Sequence, residues 1–367
     1  MTSVTAAVLR EHGGEFELEE LELAPGPAHD EVLVRIVATG FCHTDEKVRQ
    51  GARDVPTPVV LGHEGAGIVE AVGREVTALQ TGDHVVLTFA YCGLCANCRG
   101  GHPAYCERTD ELNFGALGMA LHRPGGEAVH GAFFGQSSFA TRALVNQRSV
   151  IRVDPQAPLE LLGPLGCSIQ TGAGAILNVL RPGPDSTLAV WGVGAVGLSA
   201  LIAATWSGCR TIVAVDLHAE RLTLARELGA THTIHAGDGH GALEDLRALL
   251  ATGVSHALDT TGRPEVLHDV VAGLAPRGSA AFVGGARAGD EVSLEINPLL
   301  AGRSLRGVLQ GDSQPHRFIP MLVERLRAGQ LPLAKLIRSY PLSEINRAAA
   351  DASAGRTIKP VLAMPDA

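Results

Sequence analysis

The feature that most constrains this chain is a glycine run set between two kinds of regular structure. Thr187-Leu188-Ala189-Val190-Trp191 is continuously apolar, as expected of a strand buried on both faces. It leads directly into Gly192-Val193-Gly194-Ala195-Val196-Gly197, and a helix is expected over residues 197–207. Another strand is expected over residues 211–215, with Asp216 at its end, about 20 residues beyond the last glycine. A lone G-x-G-x-x-G is weak. Between a strand and a helix, with an acidic residue ending the next strand, it reads as a dinucleotide-binding turn. Gly192 permits the tight turn, Gly194 lets the backbone approach a pyrophosphate, and Gly197 lets helix pack on strand. The helix start offers unpaired N–H groups to the phosphates. Asp216 would accept hydrogen bonds from the adenosine ribose and repel a 2′-phosphate, favouring NAD over NADP.

The alternation continues with a helix over 219–228 closed by Gly229, then strands at 256–259 and 279–283. This is an α/β series and implies a doubly wound parallel sheet. Residues 1–155 read differently, as short alternating runs cut by Gly, Pro and Asp, hence mostly β. Examples are residues 32–37, 65–73 and 85–87. Residues 159–180 are apolar and rich in Gly and Ala, as packed helices would be, and the chain from 318 is mixed. At 367 residues, two domains are expected.

Composition excludes several classes. The formal charge is -9 and the only lysines are Lys47, Lys335 and Lys359, so no basic surface for nucleic acid or anionic lipid is expected. Apolar runs are broken well short of the ~20 residues that a membrane helix needs. The first residues lack a basic segment followed by an apolar one, so a secretory signal is not expected and the cytoplasm is the expected compartment.

In that setting the cysteines read as metal ligands rather than disulfides. Cys92, Cys95, Cys98 and Cys106 form C-x2-C-x2-C-x7-C, a thiolate set suited to closed tetrahedral zinc. An iron–sulfur cluster or a nucleic-acid zinc ribbon would use similar spacing. The first usually adds a Cys-Pro, and the second wants a basic stripe, and neither is present. Cys42, His63 and Cys167 are far apart, each in a glycine-rich setting. Two thiolates and an imidazole would make a three-ligand zinc site with one open position. Isolated buried cysteines are usually small core residues, so spacing alone leaves that site open.

Taken together, Gly40-Phe41-Cys42-His43-Thr44-Asp45, Gly62-His63-Glu64-Gly65-Ala66-Gly67, Gly82-Asp83-His84-Val85, the four-cysteine lobe, Cys167 and the fingerprint with Asp216 resemble the zinc-dependent medium-chain alcohol dehydrogenases over nearly the whole chain. Residues 167–175 and 130–140 look closest to the bacterial aryl-alcohol (benzyl-alcohol) dehydrogenases. The resemblance implies an α/β chain with a GroES-like, mostly-β catalytic domain from 1–168 and 309–367, a structural zinc lobe at 91–107, and an inserted Rossmann NAD-binding domain from 169–308. It implies two zinc ions per subunit, one catalytic on Cys42, His63 and Cys167 and one structural on Cys92, Cys95, Cys98 and Cys106. Glu64 matches a carboxylate beside the catalytic metal, and Asp45 the partner that orients the ligand histidine. Thr44 matches the hydroxyl that relays the alcohol proton. His43 and Lys359 match contacts to the cofactor pyrophosphate, Thr171 a nicotinamide contact, and Arg221 a residue at the adenosine end. Many relatives end the proton relay with a histidine where this chain has Lys47, so the last proton step stays open between the cofactor ribose with water and His43.

The resemblance also implies the reaction: reversible oxidation of a primary alcohol to its aldehyde, with hydride transfer to NAD and zinc acting as Lewis acid. The expected partners are a small alcohol or aldehyde and further copies of the chain, in a homodimer or homotetramer, with no nucleic acid and no membrane. Aromatic residues are scarce, at 4%, yet Phe89, Tyr91, Tyr105, Phe114, Phe133, Phe134 and Phe139 crowd one stretch around the cysteine lobe. Phe89 matches a pocket-lining position, and Phe114 is the second pocket candidate. An aromatic pocket suits aryl or allylic alcohols, although the same rings could simply pack the lobe against the β domain. The competing readings are an aliphatic-alcohol or glutathione-dependent formaldehyde dehydrogenase and, outside enzymes, a protein that binds zinc and nucleotide without turnover. Cys209 has no assigned chemistry and is expected to pack between helix and strand.

Overall fold

In the computed structural model, which describes residues 2–115, 121–237, 241–287 and 289–365, internal contacts divide the chain into two units. One comprises Met1–Cys167 and Gln314–Ala367, the other Ser168–Ser313.

The first unit is built on two sheets. Thr2–Leu9 and Phe16–Leu23 pair antiparallel, with Val59–Val60 beside the first strand and Leu121–His122 and Ala128–Val129 beyond the second. In Phe16–Leu23 the ends are inside: Phe16, Leu21 and Leu23 are buried, while Glu17, Leu18 and Glu20 face water. The second sheet centres on Glu31–Gly40, whose Val32, Val34, Ile36 and Ala38 are buried in strict alternation. Gly65–Val72, Arg142–Asn146 and Lys359–Ala363 all pair with that strand. His84–Leu87 and Val150–Arg152 extend one side, and Ile337–Pro341 the other. Ile337–Pro341 and Lys359–Ala363 are parallel, so they need a crossover, which the helix Ile345–Ser353 supplies. This places Lys359, from the end of the chain, beside the segment that carries Cys42.

The second unit is a six-stranded, all-parallel sheet. Thr187–Trp191 is central, between Thr211–Asp216 and Val254–Asp259, and His232–His235, Leu274–Phe282 and Ser304–Gly307 complete it. The helices Ala195–Trp206, Ala219–Glu227, Ala242–Leu249 and Pro264–Ala272 intervene in sequence. One core gathers Ala189, Trp191, Val213, Val215, Val254 and Ala257 with Leu246 and Val270. Gly229 follows the second of these helices at φ +114, a left-handed stop that most other residues would resist.

Two expectations gain detail. The helices expected over 159–180 come as a broken series: Leu159–Leu162, a 3-10 turn at Gly163–Gly166, Ser168–Gly174 and a wider π turn at Ala175–Leu180. Pro164 has no N–H to give, and Cys167 leaves the helical region at φ -141 and ψ -83. The return to the first unit falls after Ser313, later than the expected 308/309. Residues 311–313 are held by the second unit: Asn178 Nδ2 donates to the Gly311 carbonyl at 2.9 Å, and Ser313 Oγ donates to Gln170 Oε1 at 2.8 Å. Among the described residues no helix is long and apolar enough to cross a membrane.

Candidate metal centres and dinucleotide site

Cys42 and His63 are set by neighbouring loops. The strand Glu31–Gly40 ends at a glycine, and Cys42 then caps the short helix His43–Arg49. Asp45, in its first turn, accepts the Cys42 N–H at 2.9 Å, the Gly62 N–H at 3.1 Å and the His63 Nδ1–H at 3.0 Å. One fully buried carboxylate therefore fixes both segments. Gly62 sits at φ +91, and a side chain there would strike Phe139. Cys167 arrives at the end of the Gly163–Gly166 turn.

Ligand atoms of Cys42, His63, Glu64 and Cys167 all lie within 4.8 Å of one another. Asp45 holds His63 by Nδ1, and His63 Nε2 is buried with no hydrogen-bond partner among the described residues. A buried ring nitrogen without a partner, facing two thiols, is the arrangement a soft cation satisfies. The electrostatics agree. The Cys167 hydrogen bond pulls the Cys42 thiol well below its ordinary range, with the Lys359 and His63 charges adding to it. The same pairing, with burial, pushes Cys167 up. Burial opposes charge on His63, but Asp45 and Cys42 outweigh it and raise its pKa well above the usual value. A zinc ion would take these donors as thiolates and a neutral imidazole, displacing any protons they carry. Thr44 Oγ lies 3.9 Å from Cys42 Sγ and is partly exposed.

The four-cysteine lobe is equally compact. All four cysteines are free thiols, and their sulfurs lie within 4.8 Å of one another. The backbone aims donors at them: the N–H groups of Leu94 and Cys95 reach Cys92 Sγ at 3.3 Å each, those of Cys92 and Arg108 reach Cys106 Sγ at 3.3 and 3.4 Å. The Leu94 and Cys95 N–H bonds bring the Cys92 thiol down to about 6, whereas burial pushes Cys98 up to about 12. N–H groups directed at sulfur favour thiolate, so the set fits zinc bound by four sulfurs.

In the second unit Gly192 takes φ +83, and a side chain there would meet Thr260 Oγ1 at 2.6 Å. A Cβ on Gly197 would sit 2.0 Å from the Gly192 carbonyl, so helix and turn need its absence. A Cβ on Gly194 would meet nothing within 4 Å, which leaves open space at the start of the helix Ala195–Trp206. Asp216 Oδ2 accepts the Val193 N–H at 2.7 Å, and Oδ1 accepts the His218 N–H at 2.9 Å. The Arg221 guanidinium lies 4.0 Å from Asp216, with its Nε buried and unpartnered among the described residues. Turn, open helix start and tethered carboxylate fit a dinucleotide. Thr171 is half-buried, its Oγ1 3.5 Å from Gln310 Oε1. Cys209 is a buried packing residue whose sulfur lies against the Ser186 and Thr211 carbonyls.

The remaining expected residues divide. His43 is exposed on the first turn of its helix, and the protein around its ring together with Lys47 lowers its pKa. Lys359, expected to be a pyrophosphate contact, is only 3% exposed. Its Nζ donates to Glu64 Oε1 at 3.0 Å and the Phe41 carbonyl at 3.2 Å, so its charge is engaged beneath the metal site. Burial alone would lower its pKa, but the Glu64 carboxylate holds it above the usual lysine range. A strand that pairs with Glu31–Gly40 carries it there, which sequence spacing could not indicate. Phe89 is buried beside Tyr91, with ring centroids 5.9 Å apart. Phe114 packs on Phe134 at 5.0 Å, and Phe134 stacks on His63 at 4.5 Å with the planes 23° apart. Phe139 belongs to the core, stacked on Phe41. The aromatic crowding thus has two parts, one packing the β unit and one reaching the His63 imidazole.

Comparison with known proteins agrees with this geometry. Residues 28–155 match the alcohol dehydrogenase GroES-like domain, and residues 195–327 match the zinc-binding dehydrogenase family. A geraniol dehydrogenase of Castellaniella defragrans is 44% identical over 98% of this chain and 97% of its own. The crystal structure of a benzyl alcohol dehydrogenase from Acinetobacter calcoaceticus superposes with a TM-score of 0.95 at 44% identity, covering both chains completely. That of an alcohol dehydrogenase zinc-binding domain protein from Burkholderia ambifaria gives a TM-score of 0.97 at 49% identity, over 99% of each chain.

Proposed function

The chain belongs to the zinc-dependent medium-chain alcohol dehydrogenase family, with a GroES-like domain and a Rossmann domain, and we propose that it oxidises primary aromatic or allylic alcohols to aldehydes with NAD. One observation carries the reading. The buried, unpartnered Nε2 of His63 faces two thiols, while a phenylalanine ring lies against the same imidazole. Metal chemistry and aromatic surface meet at one residue. The relatives named for geraniol and for benzyl alcohol support the same substrate class.

Cys42, His63 and Cys167 would hold the catalytic zinc, and Cys92, Cys95, Cys98 and Cys106 the structural one. When bound, the catalytic ion supplies Lewis-acid polarisation of the alcohol oxygen, and the nicotinamide supplies the hydride acceptor. The chain's own groups do the rest. Asp45 fixes His63 in the Nδ1–H tautomer, leaving Nε2 as the donor atom. Thr44 accepts the alcohol proton at Oγ1 and passes it outward, with the exposed His43 imidazole beside it in sequence. Lys47 stands where relatives end the relay. Glu64, held by Lys359, keeps a carboxylate beside the ligand sulfurs. Gly192, Gly194 and Gly197 shape the turn for the pyrophosphate. Asp216 takes the ribose hydroxyls in preference to a phosphorylated ribose, and Arg221 and Thr171 contact the two ends of the cofactor. We expect a homo-oligomeric, cytoplasmic enzyme.

Cys42→Ser separates this reading from a zinc and nucleotide binder. Zinc content should fall from two equivalents toward one, turnover of benzyl alcohol should be lost, and NAD affinity should be kept. Full turnover in the variant would refute the enzyme reading at this site.

A further inference from the structure

We propose that Gln136 is the positioning residue that sets the preference for aromatic alcohols, by holding a strained turn that lays Phe134 on the His63 imidazole; this rests on the substrate reading above. Residues 132–138 carry three non-glycine residues in the left-handed region: Ala132 at φ 61, Phe134 at φ 52 and Ser137 at φ 47. Each is costly for a residue with a side chain, and such clustering marks functional segments. A glycine at 134 would adopt that φ freely, yet the position holds a phenylalanine. What is kept at the backbone's expense is the ring.

The ring is where chemistry would use it. Phe134 stacks on His63 at 4.5 Å, Phe133 meets the same imidazole edge-on at 5.6 Å, and Phe114 lies 5.0 Å beyond Phe134. Strain of this kind persists only where surrounding bonds over-determine the conformation. The turn's own backbone closes it, with the Gly135 N–H on the Ala132 carbonyl at 2.7 Å and the Gln136 and Ser137 N–H groups on the Phe133 carbonyl. The Ser138 N–H ties its end to the Gly62 carbonyl at 3.0 Å. Among side chains, Gln136 makes the most tethers. Gln136 is 0% exposed. Its Nε2 donates to the His63 carbonyl at 3.0 Å and the Thr88 carbonyl at 3.3 Å, and its Oε1 accepts the Gly65 N–H at 3.1 Å. Two carbonyls and one N–H need two donors and one acceptor on a single short fork, which a primary amide provides. A carboxylate could not donate, and a hydrocarbon could do neither. Ser137 adds a second tether, donating to the Val60 carbonyl at 2.6 Å and accepting the Phe133 N–H at 2.9 Å. The turn is therefore bonded to the main chain of the residue whose ring Phe134 covers. Gln136 touches no reacting atom and acts through Phe134.

The test is a double-mutant cycle between Gln136→Met, close to isosteric, and Phe134→Leu. Two readouts are taken with zinc-loaded enzyme: kcat/KM for benzyl alcohol and ethanol with NAD, and equilibrium affinity of the NADH complex for benzamide and acetamide, unreactive aldehyde analogues. Gln136→Met should lower the benzyl-to-ethanol ratio about tenfold, chiefly through KM, and weaken benzamide far more than acetamide. In the Phe134→Leu background it should do neither. Equal losses for both substrates, or the same drop in both backgrounds, would overturn the proposal and leave Gln136 a structural residue. If the wild type prefers ethanol, the substrate reading fails by itself. The amide affinities then still decide whether Gln136 acts through Phe134. Should Gln136→Met not fold, Gln136→Asn, which keeps the amide but shortens its reach, takes its place with the same expectations.

Discussion

Asp45 shows how much one side chain decides. Its two oxygens take the Cys42 N–H, the Gly62 N–H and the His63 Nδ1–H, so the spacing of two metal donors hangs on it. Asp45→Asn should weaken zinc at the Cys42 set by about 10–100-fold. Chelator competition measures this, and an unchanged affinity would contradict the role. Asp216 is bonded to the fingerprint turn at Val193, and on the proposed reading its carboxylate would also repel a phosphorylated ribose. Asp216→Ala should raise the KM for NAD at least about tenfold and narrow the gap to NADP. A retained NAD preference would mean another group discriminates. Both aspartates were legible in the sequence because each belongs to a local motif. Lys359 and Gln136 were not. Lys359 reaches Glu64 only because two strands pair across most of the chain. Gln136 lies within a recognised motif, but its three partners come from two other segments, 63–65 and Thr88. A glutamine flanked by small residues in a glycine-bearing turn was the one available clue.

At the scale of elements, the cysteine lobe should owe its order to metal. Its helices are short and its exposed Leu94 contributes little core, so thiolate ligation must replace burial. Cys106→Ser should open the lobe to protease cleavage within residues 92–108 while leaving the nucleotide affinity unchanged. Unaltered protection would argue against a structural zinc. The carboxy-terminal pair of strands is held differently. The Tyr340 hydroxyl donates to Asp351 Oδ2 at 2.8 Å, and Arg356 donates to its Oδ1 at 2.9 Å. The Tyr340 hydrogen bond, with Arg356 adding to it, holds the Asp351 carboxyl below its ordinary value. A depressed folded pKa gives stability that is present above the unfolded value, about 3.9, and is lost as pH falls through the folded one. Tyr340→Phe should therefore lower stability near neutral pH, with a smaller difference from wild type in acid. Chemical denaturation at pH 7 and pH 3 checks this, and a difference that grows in acid would contradict it. Regular elements with strong periodicity were legible to within a few residues, as with Thr187–Trp191 and Gly65–Val72. The broken series over 159–180 was not, because composition reports burial and not where Pro164 and Cys167 interrupt the helix.

The whole molecule joins a β-rich unit that gathers two metal-donor sets to a parallel α/β unit that presents one dinucleotide turn. The alternation of strand and helix after residue 186 made the second unit readable in outline, and the motif order made the family readable. Convergence of Cys42, His63 and Cys167 needed tertiary structure, because three distant residues carry no spacing rule. Tertiary structure also sorts the aromatic residues: the sequence shows where they crowd, but only packing separates Phe139 in the core from Phe134 on the imidazole. The most direct test is kcat/KM with NAD for zinc-loaded enzyme across benzyl alcohol, geraniol, cinnamyl alcohol, ethanol, sorbitol and S-hydroxymethylglutathione. Benzyl or allylic alcohols should lead by about tenfold or more, roughly 1.4 kcal/mol of transition-state preference. A lead for ethanol or the glutathione adduct would contradict the aromatic site, and no turnover of any alcohol would contradict the enzyme.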